Sequence, residues 1–187
     1  MSEQKTAITF GRYNIVTNAH LNTLERILEI WATAVIGIVS PEKCINFPQN
    51  PRLIDFFREC DKNHERKPTF TIPQRIEMWE ETLRSAGFFD RVKIVEMRRP
   101  EYFPDEFNMR FPSNMYQLVF PQAKDERNKF DIIRLSAFRE ILGRDIATVC
   151  PSLTMHTSDI IGKVNDIDDL KRYIPIGCFS VLSRIKG

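Results

Sequence analysis

Residues 6–39 read TAITFGRYNIVTNAHLNTLERILEIWATAVIGIV, and their periodicity decides the fold. Ala7-Ile8-Thr9-Phe10 is a short apolar run of strand length. A polar turn follows. Leu21, Leu24, Leu28 and Trp31 then recur at helical spacing, with Glu25 and Glu29 on the other side. Ala34 to Val39 is continuously apolar and rich in β-branched residues, as a strand covered on both faces requires. A strand, a helix and a second strand of these lengths fit a parallel crossover.

The alternation continues outward. Thr71 can cap a helix carrying Ile72, Ile76, Trp79 and Leu83, with Pro73 tolerated in the first turn and Gly87 ending it. Val92–Val95 reads as the next strand. Residues 100–114 hold Pro100, Pro104 and Pro112 among aromatic residues and read as a loop. Tyr116–Phe120 is another strand. Phe130, Ile133, Arg134, Ala137, Phe138 and Ile141 mark a helix ending near Gly143. Ala147–Val149 is a last short strand, followed by short helices around 168–173 and 175–184. The expected class is α/β: a Rossmann-like, mostly parallel sheet of about five strands flanked by helices, with Ala7–Phe10 central. A length of 187 residues without repeats or low-complexity segments suits a single domain over 1–187.

Composition excludes several classes. Hydrophobic residues make up 42% and charged residues 28%, a globular balance. The net charge of +2 is too small to indicate nucleic acid as the main partner. No apolar run is long enough for a membrane span, and Met1 to Lys5 begin no signal-peptide pattern. A cytoplasmic protein is the expectation. Cys44, Cys60, Cys150 and Cys178 are far apart and form no Cys-x-x-Cys pair, so neither zinc nor a redox dithiol is indicated. They are expected to be buried or half-buried small apolar residues.

Ligands of such sheets bind beyond the carboxyl ends of the strands, which directs attention to the first turn, residues 11–20. Gly11 permits a sharp turn and close approach of a ligand. Thr17, Asn18 and His20 stand where the helix should begin, and a helix start favours phosphate. Arg12 can pair with phosphate oxygens in bidentate fashion. Equally, Thr17 or Asn18 can serve only as a helix cap, with His20 on the surface. Neither a Gly-x-Gly-x-x-Gly fingerprint nor a Gly-Lys-Ser/Thr loop occurs, so dinucleotide oxidoreductases and P-loop enzymes are not supported.

Phe10-Gly11-Arg12-Tyr13 through Thr17-Asn18-Ala19-His20 resembles the His/Thr-x-Gly-His box of the nucleotidyltransferase superfamily. The Gly-Arg-aromatic opening is similar to archaeal-type nicotinamide mononucleotide adenylyltransferases, and Thr-Asn-x-His is closer to phosphopantetheine adenylyltransferases. Ala19 replaces the usual glycine, and Ile15 a common proline. The segment from Lys67 to Met78 resembles the Asn-Pro-Phe-Thr…Glu-Arg-Ile-Glu-Met stretch of the nicotinamide mononucleotide enzymes. The third family motif, Ser/Gly-Ser/Thr-x-Ile-Arg, has a weaker counterpart in His156–Lys163. There Ile161 takes the arginine place and Lys163 follows two residues later.

The resemblance implies transfer of a nucleoside monophosphate from a triphosphate, AMP from ATP in family terms, to a small phosphorylated acceptor such as nicotinamide mononucleotide. Pyrophosphate is released. It assigns His20, Thr17 and Arg12 to catalysis. It assigns Phe10, Gly11, Ala19, Thr157, Ser158 and Lys163 to the nucleotide, and Arg127 is a second candidate cation for the triphosphate. Magnesium would be held mainly by substrate phosphates and water. Tyr102, Phe103, Phe107, Arg110 and Phe111 are candidates to stack and hold the acceptor. A cytidylyltransferase acting on a phospho-alcohol or phosphonate stays open, as does a non-catalytic nucleotide-binding member. Membrane and nucleic acid are not expected partners, and a homo-oligomer is compatible with the sequence.

Overall fold

The structure is a computed structural model that describes residues 5–42, 51–65, 70–122, 129–153, 160 and 167–186. Five strands form one sheet: β1 (Thr6–Gly11), β2 (Ala34–Val39), β3 (Val92–Met97), β4 (Tyr116–Pro121) and β5 (Ile146–Val149). Every pairing is parallel and the order is β3-β2-β1-β4-β5, so β1 is central as expected. The chain builds outward from β1 to β3 on one side. It then returns to place β4 and β5 on the other, so the strand order reverses between β1 and β4.

The helices are α1 (Asn18–Ile30), α2 (Ile54–Glu65), α3 (Ile72–Ala86), α4 (Pro104–Arg110), α5 (Lys129–Leu142), α6 (Ile167–Leu170) and α7 (Ile176–Lys186). Side-chain alternation in the strands feeds two apolar layers. Ala7, Ile36 and Ile38 face Leu24 and Ile27 of α1, Met78 and Leu83 of α3, and Val181 of α7. Ile8, Phe10, Val35 and Val39 face Phe56 and Phe57 of α2, Phe107 of α4 and Phe138 of α5. Both faces of the sheet are therefore covered, which is why β2 is buried along its whole length.

Two elements differ from the sequence expectation. The stretch 100–114 is not a loop throughout, because it contains α4. Pro104 stands in the first turn of that helix, where its missing N–H costs nothing, and Asp105 and Glu106 suit the positive helix end. Phe107 and Phe111, one turn apart, are buried. The second is α2, which the sequence reading does not identify. Its apolar face, Phe56, Phe57 and Cys60, is a narrow stripe among charged residues. The cysteines divide as well. Cys60 and Cys178 are buried as expected, whereas Cys150 is exposed; Cys44 lies outside the described residues.

Helices α3 and α7 touch through Gly177. A Cβ there would lie 2.2 Å from the Glu81 carbonyl oxygen and 2.5 Å from the Thr82 nitrogen. Those are backbone atoms, so relief requires the helices to separate. Gly177→Ala is expected to destabilise by about 2 kcal/mol, in the range of overpacked cores. Urea denaturation measures this, and an unchanged midpoint would show that the helices slide apart freely.

Candidate functional site

The loop from Arg12 to Thr17 leaves the carboxyl end of β1, beside the reversal of strand order, where open parallel sheets bind ligands. Thr17 is the N-cap of α1. Its hydroxyl accepts from the His20 N–H at 3.2 Å, and the Thr17 N–H donates to His20 Nδ1 at 3.1 Å. This reciprocal pair is a capping box in which histidine takes the place usually held by Glu or Gln. His20 thus occupies the first turn of α1, and its ring orientation is set by the backbone. With Nδ1 accepting, the neutral imidazole carries its proton at Nε2. Burial pulls the His20 pKa down to about 4, against an opposing hydrogen bond with the Ile15 backbone. The ring is therefore neutral near pH 7.

Tyr13 closes over this turn. It is the one non-glycine residue with positive φ among the described residues, at 41°. Its ring atoms stand 3.2–3.5 Å from where a Cβ on Gly11 would be. A side chain at position 11 would press on that ring, which would have to give by a few tenths of an ångström. The Tyr13 ring meets His20 edge-on at 5.1 Å and Trp79 at 5.2 Å. Burial pushes its phenol pKa up to about 12, opposed by a side-chain hydrogen bond with Thr9 and the charge of Arg134. The buried Trp79 indole N–H has no hydrogen-bond partner among the described residues.

Other elements hold the turn in place. The Arg75 guanidinium of α3 is 2% exposed and donates to the Arg12 carbonyl at 2.5 Å, with a longer bond to the Val39 carbonyl. It ties the ends of β1 and β2 to one helix. Burial lowers the Arg75 pKa, and the nearby Arg12 charge lowers it further. Asn14 Oδ1 accepts from the Phe70 N–H, just before the α3 cap. On α1, Asn22 Oδ1 accepts from the Ser152 N–H and hydroxyl and from the Leu153 N–H, anchoring the chain that follows β5.

The structure brings His20, Thr17, Arg12, Gly11 and Ala19 together at this turn. Thr17 is fully buried and Ala19 nearly so. Phe10 belongs to the opposite face of the sheet. Its ring packs edge-on against Phe107, Phe120 and Phe138, in the core. Thr157, Ser158, Lys163 and Arg127 lie outside the described residues. Sequence reasoning missed Arg134, whose guanidinium stands 5.0 Å over the Phe120 ring and whose charge reaches Tyr13. It was visible only as a polar member of the α5 pattern. Arg75 and Trp79 were visible only as helix residues.

The aromatic residues after β3 are packing anchors. Tyr102, Phe107 and Phe111 are buried, and Arg98 covers the Phe103 ring at 3.3 Å. They form no open stacking platform. A cavity of about 500 Å³ does open at the carboxyl ends of β2 and β3, lined by Ser40, Glu42, Glu96, Arg98, Glu106 and Arg110. Arg98 bridges Glu42 and Glu106 there. The buried Ser40 hydroxyl, on the cavity wall, has no hydrogen-bond partner among the described residues.

No protein-family model matches the chain, and no curated protein matches it in sequence. Solved structures share its fold. Two are of a bifunctional NMN adenylyltransferase/ADP ribose pyrophosphatase from Francisella tularensis, one complexed with AMP and a Mn ion. They superpose with TM-scores of 0.60 and 0.61 at 17% and 18% identity, over 97% of this chain. The chain spans 49% of the length of that protein. The third is a candidate nicotinate-nucleotide adenylyltransferase from Vibrio parahaemolyticus, with a TM-score of 0.59 and 14% identity over 96% of this chain and 98% of that one. The chain therefore has the α/β fold on which these adenylyltransferases are built.

Proposed function

We propose that the protein transfers a nucleoside monophosphate from a nucleoside triphosphate to a small phosphorylated acceptor. The observation that carries this reading is the capping box. It fixes a neutral, proton-donating imidazole on the first turn of α1, at the sheet edge where this fold binds ligands. A phosphate oxygen of the acceptor attacks the α-phosphorus, the bond from that phosphorus to its bridging oxygen breaks, and pyrophosphate leaves. The protein need supply only positioning and charge stabilisation. His20 donates from Nε2 to phosphate oxygens as charge builds, in exchange for its hydrogen bond with the Ile15 backbone. Arg12 neutralises the phosphates. Thr17, buried, acts through the cap that orients His20, and Gly11 and Ala19 let the nucleotide approach. Thr157, Ser158, Lys163 and Arg127 complete the triphosphate contacts.

Magnesium belongs to the same proposal. Triphosphate oxygens and water would hold it. When bound it would offset phosphate charge. Adenylyl transfer to a mononucleotide acceptor such as nicotinamide mononucleotide is the favoured specificity, in line with the proteins that share the fold; cytidylyl transfer to a phospho-alcohol is the neighbouring one. The cavity beside Ser40 is the candidate acceptor pocket.

A second reading has an observation of its own. The start of α1 is largely closed: the Asn18 N–H donates to the Tyr173 carbonyl at 2.8 Å, while the Thr17 and His20 N–H groups are used in the cap. Fewer N–H groups are then free for a reacting phosphate, so the second reading is a member of the fold that does not turn nucleotide over. Pyrophosphate release, measured with ATP and CTP over a panel of mononucleotide and phospho-alcohol acceptors, decides between them. Release with one pairing supports transfer. Saturable triphosphate binding with no release from any pairing supports the second reading, and absence of both overturns the nucleotide site.

A further inference from the structure

The opposite end of the sheet holds a second cavity, also of about 500 Å³. It opens at the amino ends of β1, β4 and β5, remote from Gly11 along the central strand. Lys5, Tyr116, Gln117, Arg139, Arg144 and Asp145 are among the residues lining it. Three are cationic and one is acidic. No carboxylate among the described residues pairs with Lys5, Arg139 or Arg144.

Arg144 is the unusual member. It is 9% exposed, and its guanidinium donates to the neutral carbonyls of Phe111 and Tyr116 and lies 5.8 Å over the Phe107 ring, with no carboxylate paired to it among the described residues. A guanidinium has more N–H donors than two carbonyls use, and its charge is untouched by them. Burying a cation without a paired carboxylate is costly, and burial lowers the Arg144 pKa. Arg139 repeats the pattern at the rim, donating to the Ile146 carbonyl. Neither arginine is needed to neutralise an acid of this chain. Arg144 is fixed by backbone, so its donors are preorganised. Gly143, with φ of 60°, makes the turn that brings Arg144 back under β4.

We propose that this cavity is a binding site for a small phosphate compound, separate from the candidate nucleotide site. A single carboxylate carries one charge and is satisfied by one guanidinium fork. Three cations on different walls suit a ligand with more than one negative charge and oxygens pointing in several directions. Phosphate and pyrophosphate have both, and the cavity is large enough for a phosphate ester. The site is independent of the transfer reaction proposed above, since it shares no residue with it.

Isothermal titration with inorganic phosphate and with pyrophosphate, at ionic strength held constant with chloride, tests this. The full chain is expected to bind at least one of them saturably. Lys5→Glu with Arg139→Glu, both exposed and outside the core, should weaken that binding at least tenfold. Arg12→Ala should keep the binding that the double variant loses. Amide resonances of Gly143, Asp145 and Gln117 should shift on titration. No saturable binding, or equal affinity in the double variant, overturns the proposal. Binding lost in Arg12→Ala and kept in the double variant overturns it too, because the ion then belongs to the first site.

Discussion

His20→Gln is expected to abolish most turnover while leaving the fold intact. The chain itself shows why glutamine is the right replacement. At the start of α3, Thr71 caps the helix and Gln74 reaches back to accept the Thr71 N–H at 2.9 Å. That is the same box that Thr17 and His20 make at α1. Glutamine at position 20 can therefore keep the cap, whereas alanine would leave the Thr17 N–H without its acceptor and cost about 1 kcal/mol. What glutamine loses is the imidazole. If His20 donates to developing phosphate charge, turnover should fall about a hundredfold or more, the usual cost of one such donor. The pH response should change too. The folded pKa of about 4 lies below the ordinary 6.5, so between those values the unfolded chain binds a proton that the folded chain does not. Wild-type stability falls as pH drops through that window, and the glutamine variant lacks this contribution. Pyrophosphate release and urea unfolding at pH 7.5 and 4.5 check both statements. Retained turnover in a stably folded variant would reduce His20 to a helix cap.

The sequence carries the strands of the sheet because strands buried on both faces leave continuous apolar runs, as Ala34–Val39 does. It carries the caps at Thr17 and Thr71 because capping is local chemistry at fixed spacing. It carries much less about what surrounds the first turn. Nothing local marks Arg75 as buried under the Arg12 carbonyl, since that contact joins residues 63 positions apart. The edge-on contact of Tyr13 with Trp79 is likewise set by packing of α3 on the sheet. Helix α4 was hidden by its prolines, which read as breakers although one of them only starts a helix. The aromatic residues after β3 look like a stacking surface in sequence. Whether such rings meet a ligand or one another depends on burial, and here they meet one another.

Arg99→Met is expected to cause the largest loss of stability. Arg99 follows β3 and is fully buried. Its Nε donates to Glu101 at 2.8 Å, and both terminal nitrogens donate to Asp61 Oδ1 at 3.2 Å. The Tyr102 hydroxyl donates to the same oxygen at 2.7 Å. This cluster ties α2, through Asp61, to the chain leaving β3 at the carboxyl edge of the sheet. Glu101 is 3% exposed, and burial already raises its pKa despite the adjacent Arg99. Removing the arginine takes away the cation that Glu101 and Asp61 share, a loss of about 3–5 kcal/mol for a broken buried pair. That is a large share of the roughly 5–15 kcal/mol that holds a domain folded. The sign of the pH effect follows from the raised pKa. A carboxyl whose folded pKa lies above its unfolded value stabilises below the ordinary range and loses that contribution as pH rises through the folded value. Without Arg99 the Glu101 pKa climbs further, so the variant should be more impaired at pH 8 than at pH 5. Adding Glu101→Leu to Arg99→Met should restore part of the loss, because the most deeply buried charge is then gone. Urea unfolding of the single and double variants at both pH values measures this. A loss below 1 kcal/mol, or one independent of pH, would show that water already reaches the cluster and that α2 is held by its apolar face alone.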